Sequence, residues 1–159
     1  MNRTPADNLK RFFAHIIDRF IAGFAIMIIL MLLIPVDQIE QMITANHPSV
    51  LIVTFATYLA YYTLSTASGW QATPGKRMMG IYVIRADGKK LTQRDAFERF
   101  LAFYLPFLPV YISVFPAQVA TLMIVLVLFW FLPIFSNPER MGLHDKLCNT
   151  RVVAGRTNA

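Results

Sequence analysis

The stretch RFFAHIIDRFIAGFAIMIILMLLI, residues 11–34, decides the fold class of this chain. Residues 20–34 carry no charge, whereas Asp18 stands between His15 and Arg19 at the start of the apolar run. An α-helix rises about 1.5 Å per residue, so a helix of this length can cross a hydrocarbon core about 30 Å thick. No small-residue cleavage site follows, unlike in a secretory signal peptide. The stretch therefore predicts a retained membrane span with charged residues at its mouth.

The composition of the whole chain also indicates a membrane protein. Of the 159 residues, 56% are hydrophobic and 15% are charged, whereas a soluble domain has about 25% charged residues. The mean hydropathy is +0.49. The length suits one domain, so we expect residues 1–159 to form a single transmembrane domain. The chain has one cysteine, Cys148, which excludes an intrachain disulfide.

Three further apolar stretches predict a four-helix transmembrane bundle, an all-α integral membrane fold. The predicted spans lie at about residues 14–36, 48–68, 98–115 and 117–135, with a loop at 69–97 and a tail at 136–159. The two spans after the loop are joined by only a few residues, so we expect them to form a helical hairpin.

The basic residues predict the orientation of these spans. All 15 Lys and Arg residues, which give a net charge of +6, fall in the N-terminal segment, the middle loop or the tail. Since basic segments stay in the cytoplasm, we expect both termini and the middle loop on that side. Anionic lipid headgroups are then the expected partners of the basic residues, and no nucleic acid is needed to explain them.

The middle loop predicts a short β-hairpin followed by an amphipathic turn. Residues 80–85 are rich in strand-forming side chains, Asp87-Gly88 is a hairpin-turn signal, and residues 91–92 can return the chain. The tail segment at 149–153 is β-branched and offers a third strand, which a marginal two-stranded ribbon would need. From Gln93 onward, helical spacing predicts an interfacial amphipathic turn that leads into the third span.

A polar stripe on the first helix holds the first candidate site. Arg11 and Asp18 are seven residues apart and fall on one helical face, with His15 between them. Two interpretations stay open: a structural ion pair that fixes the helix at the membrane surface, or a site for an ion, a proton or a solute. If a cation binds, Asp18 is its best candidate ligand and His15 could modulate protonation.

Hydroxyl groups form a second stripe, on the second predicted span. Thr54, Tyr58, Tyr61 and Ser65 follow one another at steps of three and four residues. They are candidates for the lining of a polar path. The alternative is that they form hydrogen bonds to neighbouring helices or back to their own backbone.

The chain lacks the motifs that would predict an enzyme. Residues 72–77, ATPGKR, lack the first glycine of a phosphate-binding loop, and Arg77 replaces the hydroxyl that would meet Mg²⁺. No set of His, Cys and carboxylate residues has metal-binding spacing, and no G-x-S-x-G motif is present. We therefore expect no catalytic activity, no metal and no cofactor.

Three separated motifs resemble, in the right order, those of the RDD family of small bacterial membrane proteins. They are RFFAHIID at the start, TPGKRMMGIYVIRADGKKLTQRDAFERF in the middle and GLHDKLCNTRVV near the end. The arginine and two aspartates that name the family match Arg11, Asp18 and Asp145. The other matching motif positions are Ala14, Thr73, Pro74, Gly75, Lys76, Gly80, Arg99, His144 and Thr150. The chain departs from the pattern at Cys148-Asn149, where small residues are usual.

The resemblance implies a multi-pass protein of the bacterial cytoplasmic membrane, for which transport of an unidentified ligand is the usual suggestion. We expect Arg11, Asp18, Arg99 and Asp145 to meet at the inner membrane boundary, where carboxylates and guanidiniums neutralise one another. The cluster would bind an ion or polar solute in a small transporter. Alternatively, it would be a structural ion-pair network in a scaffold or accessory subunit. Four short spans barely enclose a path, which favours a homo-oligomer.

Overall fold

The computed structural model describes residues 4–104 and 138–155, which are mostly helical. The elements are α1 (Asn8–Leu33), α2 (Val36–Thr44), α3 (Pro48–Ala67), α4 (Pro74–Met78), β1 (Ile81–Arg85), α5 (Gln93–Tyr104), α6 (Leu143–Leu147) and β2 (Thr150–Ala154). The fourth predicted span and most of the third lie outside the described residues. The helical class is confirmed, and the four-helix bundle stays a prediction.

Helix α1 has a narrow buried face and a wide apolar face. The Asp7 side chain caps the helix at the backbone N–H of Asn8, and Pro35 follows its end. Its buried residues recur every fourth position: Ala14, Asp18, Ala22, Ile26 and Leu30. The other side exposes large residues such as Phe20, Phe24 and Leu32, each more than 70% accessible. Small and polar groups thus face the protein in the first half of the helix, and Ile26 and Leu30 do so in the second half.

Two helices, α1 and α3, are long and apolar enough to cross a membrane. Only 22% of the apolar window of α1 and 11% of that of α3 are buried. A core helix of a soluble protein would be mostly buried, so this exposure fits helices surrounded by lipid. The two helices match the first two predicted spans and pack against each other.

Helix α2 occupies the segment between α1 and α3 and was not predicted from the sequence. It is amphipathic, and Ile39 packs with Ile26, Leu30 and Val50 from the two long helices. The segment is nine residues long and carries Asp37 in its first turn. An apolar face this short gives a weak periodic signal, which explains why it was missed.

The small sheet is built differently from the predicted hairpin. Strand β1 pairs antiparallel with β2 from the tail, with Val83 opposite Val152. A turn does form after β1, closed by the Gly88 N–H on the Arg85 carbonyl at 2.9 Å. The chain beyond it does not return as a strand, because Leu91 is buried in the core and α5 begins at Gln93. The predicted third strand is therefore the partner of β1, and the hairpin prediction was wrong.

The remaining elements gather on one side of α1. Helix α4 packs against α1, α5 packs against α3, and α6 packs against α5 and β2. Beneath the sheet lies a small apolar core that includes Ala14, Val83 and Ala96. The N-terminal helix, the middle loop and the tail therefore meet, and this meeting point holds the candidate site.

Candidate functional site

Asp18 joins three helices through neutral hydrogen-bond donors. Its carboxylate is fully buried. Oδ1 accepts hydrogen bonds from the Tyr61 hydroxyl and the Gly75 backbone N–H, each at 2.8 Å. Oδ2 accepts a hydrogen bond from the Thr73 hydroxyl. We call Asp18, Tyr61, Thr73 and Gly75 the Asp18 clamp, since it ties α1 to α3 and α4.

The sequence TPG explains how α4 reaches Asp18. Thr73 caps the helix by accepting from the Lys76 N–H at 3.4 Å, and Pro74 occupies the first turn, where no N–H is needed. Gly75 then lies against α1 so closely that an added Cβ would sit 2.3 Å from the Ala14 carbonyl oxygen. The missing side chain is what brings the Gly75 N–H to the carboxylate.

Asp145 is the centre of a second network, which we call the Asp145 cluster and which contains Arg11, Arg99, Asp145 and Thr150. Arg99 donates to both Asp145 Oδ1 and the Thr150 hydroxyl. Arg11 Nη1 lies 3.6 Å from Asp145 Oδ2, and its Nη2 donates to the Val152 carbonyl at 3.1 Å. The cluster joins the N-terminal helix, α5 and the tail.

Two titratable residues of α6, His144 and Asp145, stay in the charge states that suit this cluster. Burial disfavours the Asp145 carboxylate, but Arg99, His144, Arg11 and the Gly142 N–H outweigh it and lower its pKa. Burial, aided by nearby cations, lowers the pKa of His144 to about 4. At neutral pH the aspartate is therefore ionised and the imidazole is neutral, with its ring edge-on to Phe103.

The predicted four-residue cluster divides into two networks. Arg11, Arg99 and Asp145 come together. Asp18 does not join them, because in the described part of the chain no guanidinium lies within 4.0 Å of its carboxylate. The prediction that Asp18 forms an ion pair with an arginine was therefore wrong. The physical reason is that Gly75 lets the backbone of α4 approach and supply the charge-stabilising donor instead.

A cavity of about 380 Å³ lies between the two networks. Arg11, Asp18, Lys76 and Arg99 supply charge to its lining. Its aromatic wall consists of Phe12, Tyr62, Phe100, Phe103 and Tyr104. These aromatic residues were not predicted as site residues, because rings at helical spacing are equally typical of lipid-facing or core positions.

Lys76 is the cation of this cavity for which the described residues supply no ion-pair partner. Among residues 4–104 and 138–155, no carboxylate lies within 4.0 Å of its ammonium group. Burial lowers the pKa of Lys76 to about 8, and the guanidiniums of Arg99 and Arg11 act in the same direction, whereas the carboxylates of Asp18 and Asp145 oppose them. The ammonium is therefore still charged at neutral pH, but it is poorly stabilised.

His15 also lines the cavity and contacts Arg19 on its own helix. Its Nε2 accepts a hydrogen bond from Arg19 Nε at 3.3 Å. The Arg19 guanidinium also lies over the Tyr58 ring, 5.4 Å from its centroid. Arg19 was missed as a site residue, although its position four residues after His15 on one helical face is a usable signal.

The predicted hydroxyl stripe does not line one path through the described residues. Tyr61 turns its hydroxyl to Asp18, and Tyr58 stacks against Tyr62. Tyr61 and Ser65 border an open groove between α1 and α3, whose other lining residues are mostly apolar. Thr54 lines neither that groove nor the cavity. The stripe had two interpretations, a polar path and hydrogen bonds to neighbouring helices. Tyr61 fits the second, because its hydroxyl in α3 donates to Asp18 in α1.

The sequence model of the RDD family matches residues 5–149. This chain belongs to the RDD family. The RDD protein is 29% identical over 165 aligned positions to the uncharacterized protein YxaI of Bacillus subtilis (strain 168), an alignment that covers 94% of this chain and 97% of that relative. No solved structure matches it. Family membership and the two apolar helices indicate a membrane-associated protein.

Most motif residues of this RDD protein fall into the two networks and the cavity between them, whereas Ala14 belongs to the apolar core beneath the sheet. Thr73 and Gly75 belong to the clamp, Thr150 and His144 lie next to Asp145, and Lys76 lines the cavity. Within the described ranges, no group of three or more His, Cys, Asp or Glu side chains is arranged to hold a metal ion. The arrangement offers cations and aromatic surface around a small cavity.

Proposed function

We propose that this RDD protein is a multi-pass protein of the bacterial cytoplasmic membrane that acts as a small transporter. Both termini lie in the cytoplasm, and a small ion or polar solute enters the cavity from that side. We further propose that the protein is a homo-oligomer, that its basic residues contact anionic lipid headgroups, and that it performs no catalytic step.

The observation that carries the proposal is the cavity beside Lys76. Buried ionisable groups are costly, and they persist where they meet one another or a ligand. Arg11, Arg99 and Asp145 meet one another, whereas Lys76 faces the cavity without an ion-pair partner among the described residues. A volume of about 380 Å³ is large enough for a small solute.

The geometry moves the expected solute site away from Asp18. A cation bound there would have to displace the hydroxyl groups of Tyr61 and Thr73 or the N–H of Gly75, all of which donate to the carboxylate. This cost makes Asp18 a poor cation ligand, and the sequence-based expectation of cation binding at Asp18 is not proposed further.

Solute flux into liposomes that contain the purified protein tests the proposal. We expect flux above that of empty liposomes for at least one solute in a panel of inorganic cations, inorganic anions and small organic ions. We expect Lys76→Gln to reduce it strongly. Lys89→Gln, at an exposed position in the loop, is the matched control and should leave flux unchanged. A panel without any protein-dependent flux would contradict transport.

A second candidate function is that of a non-transporting scaffold or accessory subunit. The specific observation in its favour is that the Asp18 clamp and the Asp145 cluster tie the N-terminal helix, the loop and the tail together through buried groups. On this alternative the cavity binds no solute, and Lys76→Gln leaves every solute-binding measurement unchanged.

A further inference from the structure

We propose that the cavity is an anion site that holds a phosphate or carboxylate group carrying a short apolar body, with the Lys76 ammonium as the principal cation. The inference rests on the proposed solute-binding role of the cavity and names the chemical class of the solute.

The balance of charge around the cavity favours an anion. Three cationic side chains, Arg11, Lys76 and Arg99, meet only two carboxylates, Asp18 and Asp145. Asp145 is used by the two guanidiniums, and Asp18 already accepts three hydrogen bonds. The five charges sum to +1, and Lys76 is the cation that has no carboxylate within 4.0 Å among the described residues, although Asp18 and Asp145 favour its charge from farther away.

The unused hydrogen-bond donors point the same way. Arg11 lines the cavity, and its Nε is buried without a hydrogen-bond partner in the part of the chain that the structure describes. The Lys76 ammonium has no ion-pair partner among the described residues. Ammonium and guanidinium groups only donate, so the missing partner must be an acceptor, and an anionic oxygen is the strongest one available.

The remaining lining indicates the body of the ligand. Phe12, Phe100 and Phe103 supply apolar ring surface beside the cations. A bare inorganic ion would leave this surface in contact with water, whereas a short alkyl or aromatic group would cover it. The volume of about 380 Å³ accommodates a headgroup and such a body together.

A cation is disfavoured at the same place for two reasons. The Asp18 carboxylate that faces the cavity is occupied by its three donors, and the Lys76 ammonium would repel a second positive charge. The pKa of Lys76 is lowered in the protein without a ligand. A bound anion would stabilise the charged ammonium and raise this pKa again.

Two sources share this chemistry: a free organic phosphate or carboxylate, and the headgroup of an anionic phospholipid. Calorimetric titration of the full-length protein in a neutral detergent with hexyl phosphate tests the first. Hexyltrimethylammonium, with the same tail and the opposite charge, is the matched ligand. We expect hexyl phosphate to bind, hexanoate to compete with it, and hexyltrimethylammonium to do neither.

Variants at one position identify the cation. We expect Lys76→Gln to weaken hexyl phosphate binding at least about tenfold, and Lys76→Arg to stay within about threefold of wild type. Lys89→Gln should leave the affinity unchanged. Should Lys76→Gln fail to fold, the preference of the wild-type protein for the anion over the matched cation still decides the question.

The second source is tested with nanodiscs that contain either phosphatidylcholine alone or phosphatidylcholine with phosphatidylglycerol. Retention of phosphatidylglycerol by wild type and its loss in Lys76→Gln would assign the site to a lipid headgroup. If neither probe binds in a Lys76-dependent way, the inference is overturned. Lys76-dependent binding of hexyltrimethylammonium alone would overturn the anion class and leave solute binding intact, whereas binding of no probe and no flux would overturn both proposals.

Discussion

The backbone N–H of Gly75 donates a 2.8 Å hydrogen bond to the carboxylate of Asp18, 57 residues earlier in the chain. This contact fixes the start of α4 against the first apolar helix and positions Lys76 at the cavity next to it. The Asp18 clamp thus belongs to the architecture of the site, and the proposed contact with a solute falls to Lys76, the residue that follows Gly75.

Gly75→Ala should destabilise the protein. The added methyl group would lie 2.3 Å from the Ala14 carbonyl oxygen and 2.7 Å from Asp18 Oδ1, so α4 would have to move away from α1. Overpacking of this kind costs about 1–3 kcal/mol, and the lost hydrogen bond adds to it.

Thermal unfolding in detergent measures the effect of Gly75→Ala. Gly23→Ala, in α1 with open space around its Cβ position, is the control and should unfold at or above the wild-type temperature. Equal melting of both variants would argue against the close approach.

Asp18→Asn should lower the unfolding temperature by removing charge-assisted hydrogen bonds. The amide keeps one acceptor oxygen, but its NH₂ group would face donors that the carboxylate now serves. We expect a loss of several kcal/mol, and about 1–3 kcal/mol for Tyr61→Phe alone. A double-mutant cycle measures the coupling. Strictly additive effects would show that the hydroxyl does not act through Asp18.

Arg99→Gln should be strongly destabilising because it leaves Asp145 buried with Arg11, at 3.6 Å, as its remaining guanidinium partner. Breaking a buried ion pair by removing one partner costs about 3–5 kcal/mol. Arg94→Gln is the matched control on the same helix, since its pair with Glu98 is exposed to solvent and should matter little. Chemical denaturation of both variants compares them. A mild effect of Arg99→Gln would indicate that Asp145 does not depend on this pair.

The stability of the protein should fall as the pH drops from about 6.5 to about 4. The pKa of His144 is lowered to about 4 in the folded state by burial and by Arg99, Lys76 and Arg11, while the adjacent Asp145 opposes this. Between these pH values the unfolded chain binds a proton that the folded chain refuses, so acid favours unfolding, by about 3 kcal/mol at most. Unfolding midpoints of wild type and His144→Asn across this range test the assignment. The same pH slope in the variant would assign the effect to another group.

Reporter fusions test the proposed orientation. A fusion after Asn46, between α2 and α3, should report the outer side of the membrane, and one after Gly155, just beyond β2, should report the cytoplasm. A cytoplasmic Asn46 or an external Gly155 would contradict the proposed topology.

The apolar helices and the motif residues were predictable from the sequence because their signals are local. The charge-free run after Arg19 gives a helix long enough to cross a membrane, and Thr73-Pro74-Gly75 has the form of a helix start. The partners of Asp18 were not predictable. Charge alone favours an arginine, and only the approach of Gly75 to Ala14 shows that a backbone N–H and two hydroxyl groups take that place.

The same division holds for the sheet and the cavity. A strand over 80–85 and a turn at Asp87-Gly88 follow from local propensity. Which segment pairs with that strand depends on contacts between distant parts of the chain. The segment around Leu91 does not form the predicted return strand, because Leu91 is buried in the core. Strand β1 pairs with β2 instead. By itself, the sequence determined the helical class, the two apolar helices and the residues of the RDD motifs. Tertiary structure alone decided which charges cancel and that Lys76 faces a cavity, because both depend on distances between segments far apart in the chain.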